Sequence, residues 1–264
     1  TAKSGIAISE PGAGGDPAGM ITRARKDGSD WVINGRKIWV SRVPAADFII
    51  VMARTGEGKR AEGMTAFIVE KGTPGFIIER EIKMIGGRLT YELVFDECRV
   101  PESQILGELG QGYEPMQLRL NVRRLQMGAR CVGMCRRAIE MMTEQAKQRV
   151  TFGVKLADRQ AIQWWIADAA IKIHATRLMV LSAAEKMEAG QDVKDEASMI
   201  KVFATEMARD VLDQAMQTFG AMGMTKEMPL QLFAQQARLM RIYEGPTEVH
   251  RMAIAKRVLR RGSV

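Results

Sequence analysis

Apolar and polar positions change their rhythm once along the chain. Up to about residue 107 the apolar residues come in short β-branched or aromatic runs: Ile6-Ala7-Ile8-Ser9, Trp31-Val32-Ile33-Asn34, Phe48-Ile49-Ile50-Val51-Met52, Thr65-Ala66-Phe67-Ile68-Val69 and Tyr91-Glu92-Leu93-Val94-Phe95. Such runs mark strands. Turn formers separate them at Lys26-Asp27-Gly28-Ser29-Asp30, Asn34-Gly35, Thr55-Gly56-Glu57-Gly58 and Thr73-Pro74-Gly75. Asn34-Gly35 between two apolar stretches predicts a hairpin. Strands at this spacing predict an antiparallel β-barrel or sandwich domain over 1–107. From about Gly112 the apolar residues recur every three or four positions, in long stretches without Pro or Gly. Met127, Met134 and Met141 sit seven apart, with Val132, Ala138 and Ile139 on nearby faces. That stripe reads as a helix packed on other helices, its methionines core and not cofactor ligands. Further helices are predicted over 157–189, 192–219, 228–241 and 247–261, with Asp192 and Asp195 suited to a helix start and Gly153, Gly190, Gly220 and Gly223 as punctuation. Long helices with short connections predict an antiparallel four-helix-bundle domain over 108–264. The fold class is α+β.

Composition narrows the classes. Hydrophobic residues make up 46% of the 264 and charged ones 27%, as in a globular protein. No run of about 18 apolar residues exists, so no spanning helix and no membrane partner is expected. Thr1-Ala2-Lys3-Ser4-Gly5 has neither a basic n-region nor an apolar h-region, so no secretion signal is expected. Cys98, Cys131 and Cys135 lack any disulfide or zinc spacing, and His174 and His250 stand far apart; no metal site is expected, and the thiols read as reduced and packed. The formal charge is +8, from 39 basic and 31 acidic residues. The cations are dispersed except in Lys256-Arg257-Val258-Leu259-Arg260-Arg261, a helix end whose charge suits the C-terminal dipole.

Three motifs could carry chemistry. Ser9-Glu10-Pro11-Gly12-Ala13-Gly14-Gly15-Asp16 follows a strand, and its glycines allow close backbone approach to a ligand. No Gly-Lys-Ser/Thr follows, which excludes the phosphate-binding P-loop; no helix pattern follows, which excludes the dinucleotide fingerprint. In Asn34-Gly35-Arg36-Lys37-Ile38-Trp39-Val40-Ser41, a Trp and a hydroxyl two apart on a strand share a face that could hold a flat ring. In Arg241-Ile242-Tyr243-Glu244-Gly245-Pro246-Thr247-Glu248-Val249-His250-Arg251, Gly245-Pro246 ends one helix and opens the next. Glu244 is thereby held at a junction from which a carboxylate can project into a cavity and act as a general base; an acid merely stabilised beside a helix N-terminus is the plainer reading.

In this order and spacing these stretches, with Val94-Phe95-Asp96 through Arg99-Val100-Pro101, Gln148-Arg149 through Thr151-Phe152-Gly153, and Ile242-Tyr243-Glu244-Gly245, resemble the acyl-CoA dehydrogenase family over nearly the whole chain. The resemblance implies a middle β domain and a C-terminal helical domain, the chain beginning where the middle domain starts and the family's N-terminal helical domain absent. It implies FAD as cofactor, with Ile8 and Ser9 at the pyrimidine edge of the flavin, Trp39 packing by the ring, and Val40 and Ser41 near N5. Arg149, Phe152, Gln160, Gln217 and Gly220 would hold the pyrophosphate and adenosine across a subunit contact, and Thr247 and Glu248 would also touch FAD. Glu244 would be the catalytic base; Gly15, Asn121, Arg124 and Gly245 would lie toward the substrate.

The implied reaction is α,β-dehydrogenation of an acyl-CoA to a trans-2-enoyl-CoA, with electrons passed to an electron-transfer flavoprotein. The implied assembly is a homodimer or homotetramer, in bacterial cytoplasm or mitochondrial matrix. Arg123 stands where some branches place an alternative base, which strengthens Glu244. Gly15, Ala221, Pro246 and Glu248 depart from commoner family residues and bear on the fine flavin contacts and chain-length preference. The rival readings are a DNA-binding flavoprotein of the same family, an oxidase passing electrons to oxygen, and a structural remnant.

Overall fold

The computed structural model describes residues 2–57 and 62–262; Gly58, the end of one predicted turn, lies outside them. The chain separates into two compact units, Thr1–Leu118 and Arg119–Val264.

The first unit is built on β1 (Ser4–Ala7), β2 (Arg23–Asp27), β3 (Asp30–Ser41), β4 (Phe48–Arg54), β5 (Met64–Glu70), β6 (Phe76–Lys83), β7 (Leu89–Pro101) and β8 (Ile105–Leu106). These make one eight-stranded sheet in the order β6-β7-β3-β2-β4-β5-β8, with β1 paired to β4. Two expectations change. The path has free ends at β6 and β8, so the sheet is open and not a closed barrel. It is also mixed, since β1 and β2 each pair with β4 in parallel. The edges resist further pairing because β8 has two residues and β6 carries Glu79, Arg80 and Glu81. The core beneath the sheet includes Ile33, Val51, Phe67, Val69, Leu93 and Phe95.

Asn34-Gly35 is not a turn. The hairpin joins β2 and β3 at Asp27–Asp30, where Gly28 takes φ +63. Asn34 lies inside β3 and bonds to Glu97 of β7, its Nδ2 donating at 2.7 Å and its Oδ1 accepting the Glu97 N–H at 2.9 Å. These two bonds bridge an irregularity in the β3–β7 register. Gly35 is there for close packing: a Cβ would stand 2.4 Å from the Thr22 hydroxyl oxygen.

The second unit is helical. α1 (Tyr113–Gln148) begins before the boundary and continues into it; then come α2 (Gln160–Glu188), α3 (Lys194–Phe219), α4 (Pro229–Met240) and α5 (Thr247–Arg261). The described α-helices number five, one for each helical stretch that the pattern predicts, and not the four of the predicted bundle; the Gly245-Pro246 break divides the segment after α3 into two short helices, as the sequence indicates. A two-stranded hairpin, β9 (Val150–Thr151) and β10 (Val154–Lys155), interrupts the helical half as the sequence pattern did not foretell. Met127 and Met134 are buried in the helical core with Cys131 and Cys135, as the stripe predicted. All three thiols are free, and burial pushes Cys98 up to about 11 and Cys131 up to about 12. No helix among the described residues is long and apolar enough to cross a membrane.

Candidate active site

The bend between α4 and α5 gathers an unusual set of groups. Glu244 takes φ +58 and Gly245 takes φ +93, so a non-glycine residue sits in the left-handed region immediately before a glycine there. Gly245 cannot carry a side chain, since its Cβ would meet His250 Nε2 at 2.8 Å. The Glu244 carbonyl accepts two hydrogen bonds, from Arg124 Nε at 3.1 Å and from His250 Nε2 at 3.1 Å. A carbonyl only accepts, so His250 carries its proton on Nε2. Burial first, and then the Arg124 charge, push His250 down to about 4, so its imidazole is neutral at neutral pH. Arg124 in turn donates to Asn121 Oδ1 at 2.8 Å, and both are buried beneath the bend. Thr247, fully buried, donates its N–H to the Arg241 carbonyl at 3.1 Å and its hydroxyl to Glu248 Oε1 at 3.1 Å.

The Glu244 side chain is half-buried. Arg119 lies within its electrostatic reach: desolvation lowers the Arg119 pKa, the Glu244 charge opposes this, and Arg123 adds to it. Arg119 forms no hydrogen bond or ion pair among the described residues. Arg119, Lys201 and His250 were not picked out as site residues from the sequence. Lys201 had a readable signal, being a lysine in the small-residue stripe Ala197, Ala204 and Ala208 of α3.

In the first unit the glycine-rich loop and the β3 motif come together. Lys37 Nζ donates to the Ile8 carbonyl at 3.0 Å, and Ile38 N donates to the Ser9 carbonyl at 2.9 Å. Glu10 anchors the loop from inside, accepting from Ile21 N at 2.6 Å, Thr22 N at 3.0 Å and Lys37 Nζ at 2.8 Å. Burial pushes the Glu10 carboxyl up, but Lys37 and the two N–H donors outweigh it and hold it below its ordinary value. Gly15 is exposed on the outer arm of the loop.

Next to this anchor β3 bulges. Lys37 faces Leu93 and Val40 faces Tyr91, so two residues oppose one, and Trp39 takes φ +63. Simple alternation therefore does not carry across Trp39; the bulge re-aims it outward, 50% exposed, while Val40 is buried. Ser41 Oγ accepts from Arg88 at 3.2 Å. A half-exposed indole on a strand whose backbone also bonds to Ser9 suits contact with a flat ring.

The remaining predicted residues lie on other elements of the second unit. Phe152, φ +53, stands 98% exposed at the tip of the β9–β10 hairpin, with Arg159 stacked over its ring. Arg149 precedes that hairpin and Gln160 opens α2; both are exposed. Gln217 and Gly220 form the end of α3, where the Gly220 N–H donates to the Gln217 carbonyl. Among the described residues, the side chains of Arg149, Gln160 and Gln217 make no hydrogen bond to one another. No three His, Cys, Asp or Glu side chains gather into a metal site among the described residues.

Comparison with known proteins follows the same division. The acyl-CoA dehydrogenase middle domain matches residues 5–98 and the acyl-CoA dehydrogenase C-terminal domain matches 110–259. (R)-benzylsuccinyl-CoA dehydrogenase of Thauera aromatica is 42% identical over 98% of this chain and 64% of its own. Butyryl-CoA dehydrogenase of Megasphaera elsdenii superposes with a TM-score of 0.92 at 35% identity, over 97% of this chain and 68% of that one. A chain solved in work on the electron transferring flavoprotein of Acidaminococcus fermentans gives a TM-score of 0.93 at 33% identity, over 98% and 69%. The chain thus spans about two thirds of the length of the relatives it matches.

Proposed function

This chain belongs to the acyl-CoA dehydrogenase family of FAD-dependent oxidoreductases, and we propose that it desaturates an acyl-CoA thioester with Glu244 as the base. The observation that carries this reading is the clamped, left-handed Glu244. A carboxylate on a helix flank swings freely; this one has its backbone fixed by Arg124 and His250, which is what a base that must meet one C–H bond requires.

Glu244 takes the α-proton that the thioester carbonyl acidifies. The Glu244 N–H donates to no acceptor among the described residues, which leaves it available to the carbonyl oxygen as negative charge develops. FAD, when bound, supplies the two-electron acceptor for the β-hydrogen, leaving a trans-2-enoyl-CoA, and the electrons pass on to an electron-transfer flavoprotein. Ile8, Ser9, Trp39, Val40 and Ser41 would hold its ring; Arg149, Phe152, Gln160, Gln217 and Gly220 would hold its phosphates and adenosine from a second subunit, with Thr247 and Glu248 beside them. Gly15, Asn121, Arg124 and Gly245 would line the thioester's path. The second subunit has a candidate seat on α2, where Trp164, Ile171, Leu178 and Leu181 are exposed along one helix.

Arg119 favours a particular substrate class within this reading, a thioester whose acyl part carries its own carboxylate, as benzylsuccinyl-CoA does. The test of the base is Glu244→Gln in the FAD-loaded protein. FAD should stay bound while bleaching by a panel of plain, branched and carboxylate-bearing acyl-CoAs falls by at least about a thousandfold. Bleaching at the wild-type rate would overturn the assignment.

A further inference from the structure

We propose that Lys201 and His250 are positioning residues for Glu244, holding the two ends of the bend that carries it; the inference rests on Glu244 being the base. Lys201 lies on α3, its side chain fully buried, and its Nζ donates to the Arg241 carbonyl at 2.9 Å. The same carbonyl takes the Thr247 N–H, so the start of the bend is tied to α3 and to the first residue of α5 through one oxygen. Three residues on, the Glu244 carbonyl is tied to α1 through Arg124 and to α5 through His250. Three helices thus fix two carbonyls, and the left-handed residue between them has no freedom to relax toward ordinary backbone.

Lys201 is an expensive way to fill its space. Burial, then the Arg124 charge, push it down to about 7, with Glu248 opposing and Arg241 adding to the repulsion. A buried cation facing two arginines destabilises a core that an apolar side chain of the same length would fill without penalty. Stability therefore does not account for an amine here, whereas its bond to the bend does. His250 serves the same end without charge, as a neutral ring whose one required feature is an N–H aimed at the Glu244 carbonyl.

The experiment compares Lys201→Met, His250→Gln and His250→Leu with the wild type as FAD-loaded proteins, using the acyl-CoA the wild type bleaches fastest. In Lys201→Met the urea midpoint should be equal or higher and the FAD content unchanged. Its kcat should fall about tenfold or more while KM moves less than about threefold. His250→Gln, which keeps an N–H at that height, should retain kcat within about threefold, and His250→Leu should lose it as Lys201→Met does. Wild-type kcat in Lys201→Met, or equal kcat in the two His250 variants, overturns the proposal; if Lys201→Met does not fold, the His250 pair decides alone. Glu244→Gln separates the two readings. Turnover retained there overturns the base itself, while loss there with wild-type kcat in Lys201→Met and His250→Leu overturns positioning only.

Discussion

At the residue scale, the candidate site is a matter of backbone angles as much as side chains. Five non-glycine residues among those described adopt positive φ: Trp39, Arg42, Glu97, Phe152 and Glu244. Three of them are motif residues, and such conformations persist only where surroundings enforce them. The Gly245-Pro246 break made Glu244 legible from the sequence, but the enforcers were not, because Lys201 and His250 act from other turns of the fold. His250 carries a pH prediction. Its folded pKa is about 4 against an ordinary 6.5, so the unfolded chain takes up a proton that the folded one refuses. Stability is full above pH 6.5 and is lost as pH falls toward 4. Between pH 7.5 and pH 5 the loss from this ring should be about 2 kcal/mol. The shifted carboxylates, such as Glu10 and Glu206, are held below their ordinary 4.5 and act at lower pH. Lys201, pushed down to about 7, adds a smaller loss over the same interval. Urea unfolding at the two pH values should therefore show a loss larger by about 2 kcal/mol in the wild type than in His250→Gln; equal losses would refute the burial of a neutral imidazole.

At the element scale, the two halves were legible because a period of two and a period near 3.6 leave different patterns. β2 and β6 were missed for a common reason. Both lack alternation: Arg23-Ala24-Arg25-Lys26-Asp27 is polar nearly throughout, and β6 follows three apolar residues, Phe76-Ile77-Ile78, with the charged run Glu79-Arg80-Glu81. Charge pairs reaching to β7 accompany them, Arg99 with Asp27 and Glu92 with Arg36 and Arg80. Asn34-Gly35 misled because a turn dipeptide can equally serve a bulge in a long strand. The glycine-rich loop shows the complementary case, in which an element without secondary structure is fixed by one buried ion pair. Glu10 and Lys37 have side chains 3% and 0% exposed and stand 2.8 Å apart. Glu10→Ala strands the Lys37 ammonium and the Ile21 and Thr22 N–H groups. The expected cost is about 3–5 kcal/mol by urea unfolding at pH 6. It should shrink as pH rises toward 8, because burial pushes Lys37 down and only Glu10 holds it up to about 8, so without that partner the amine sheds its proton at lower pH. A loss under about 1 kcal/mol would mean that the loop holds itself.

At the scale of the whole molecule, the charge of +8 is the one feature that points away from small-molecule chemistry. Its distribution decides the matter. Of the dense tail, Arg257 and Arg261 both pair with Asp195, and Arg251, earlier on the same helix, pairs with Glu206 in a two-pronged contact. Cations committed to carboxylates of the same unit release few counterions when a polyanion approaches, and counterion release supplies most nonspecific affinity for nucleic acid. The tail therefore does not act as a free basic arm. A 20-base-pair duplex titrated at 0.15 M salt should show no binding up to about 10 µM, with any low-salt binding losing affinity no more steeply than the second power of salt. Asp195→Ala supplies the positive control, since it frees two guanidiniums and should steepen that dependence by up to about two. Submicromolar binding by the wild type with a slope near four or more would bring the DNA-binding branch of the family forward. It would also recast Glu244 and its clamp as inherited architecture and not as a working base.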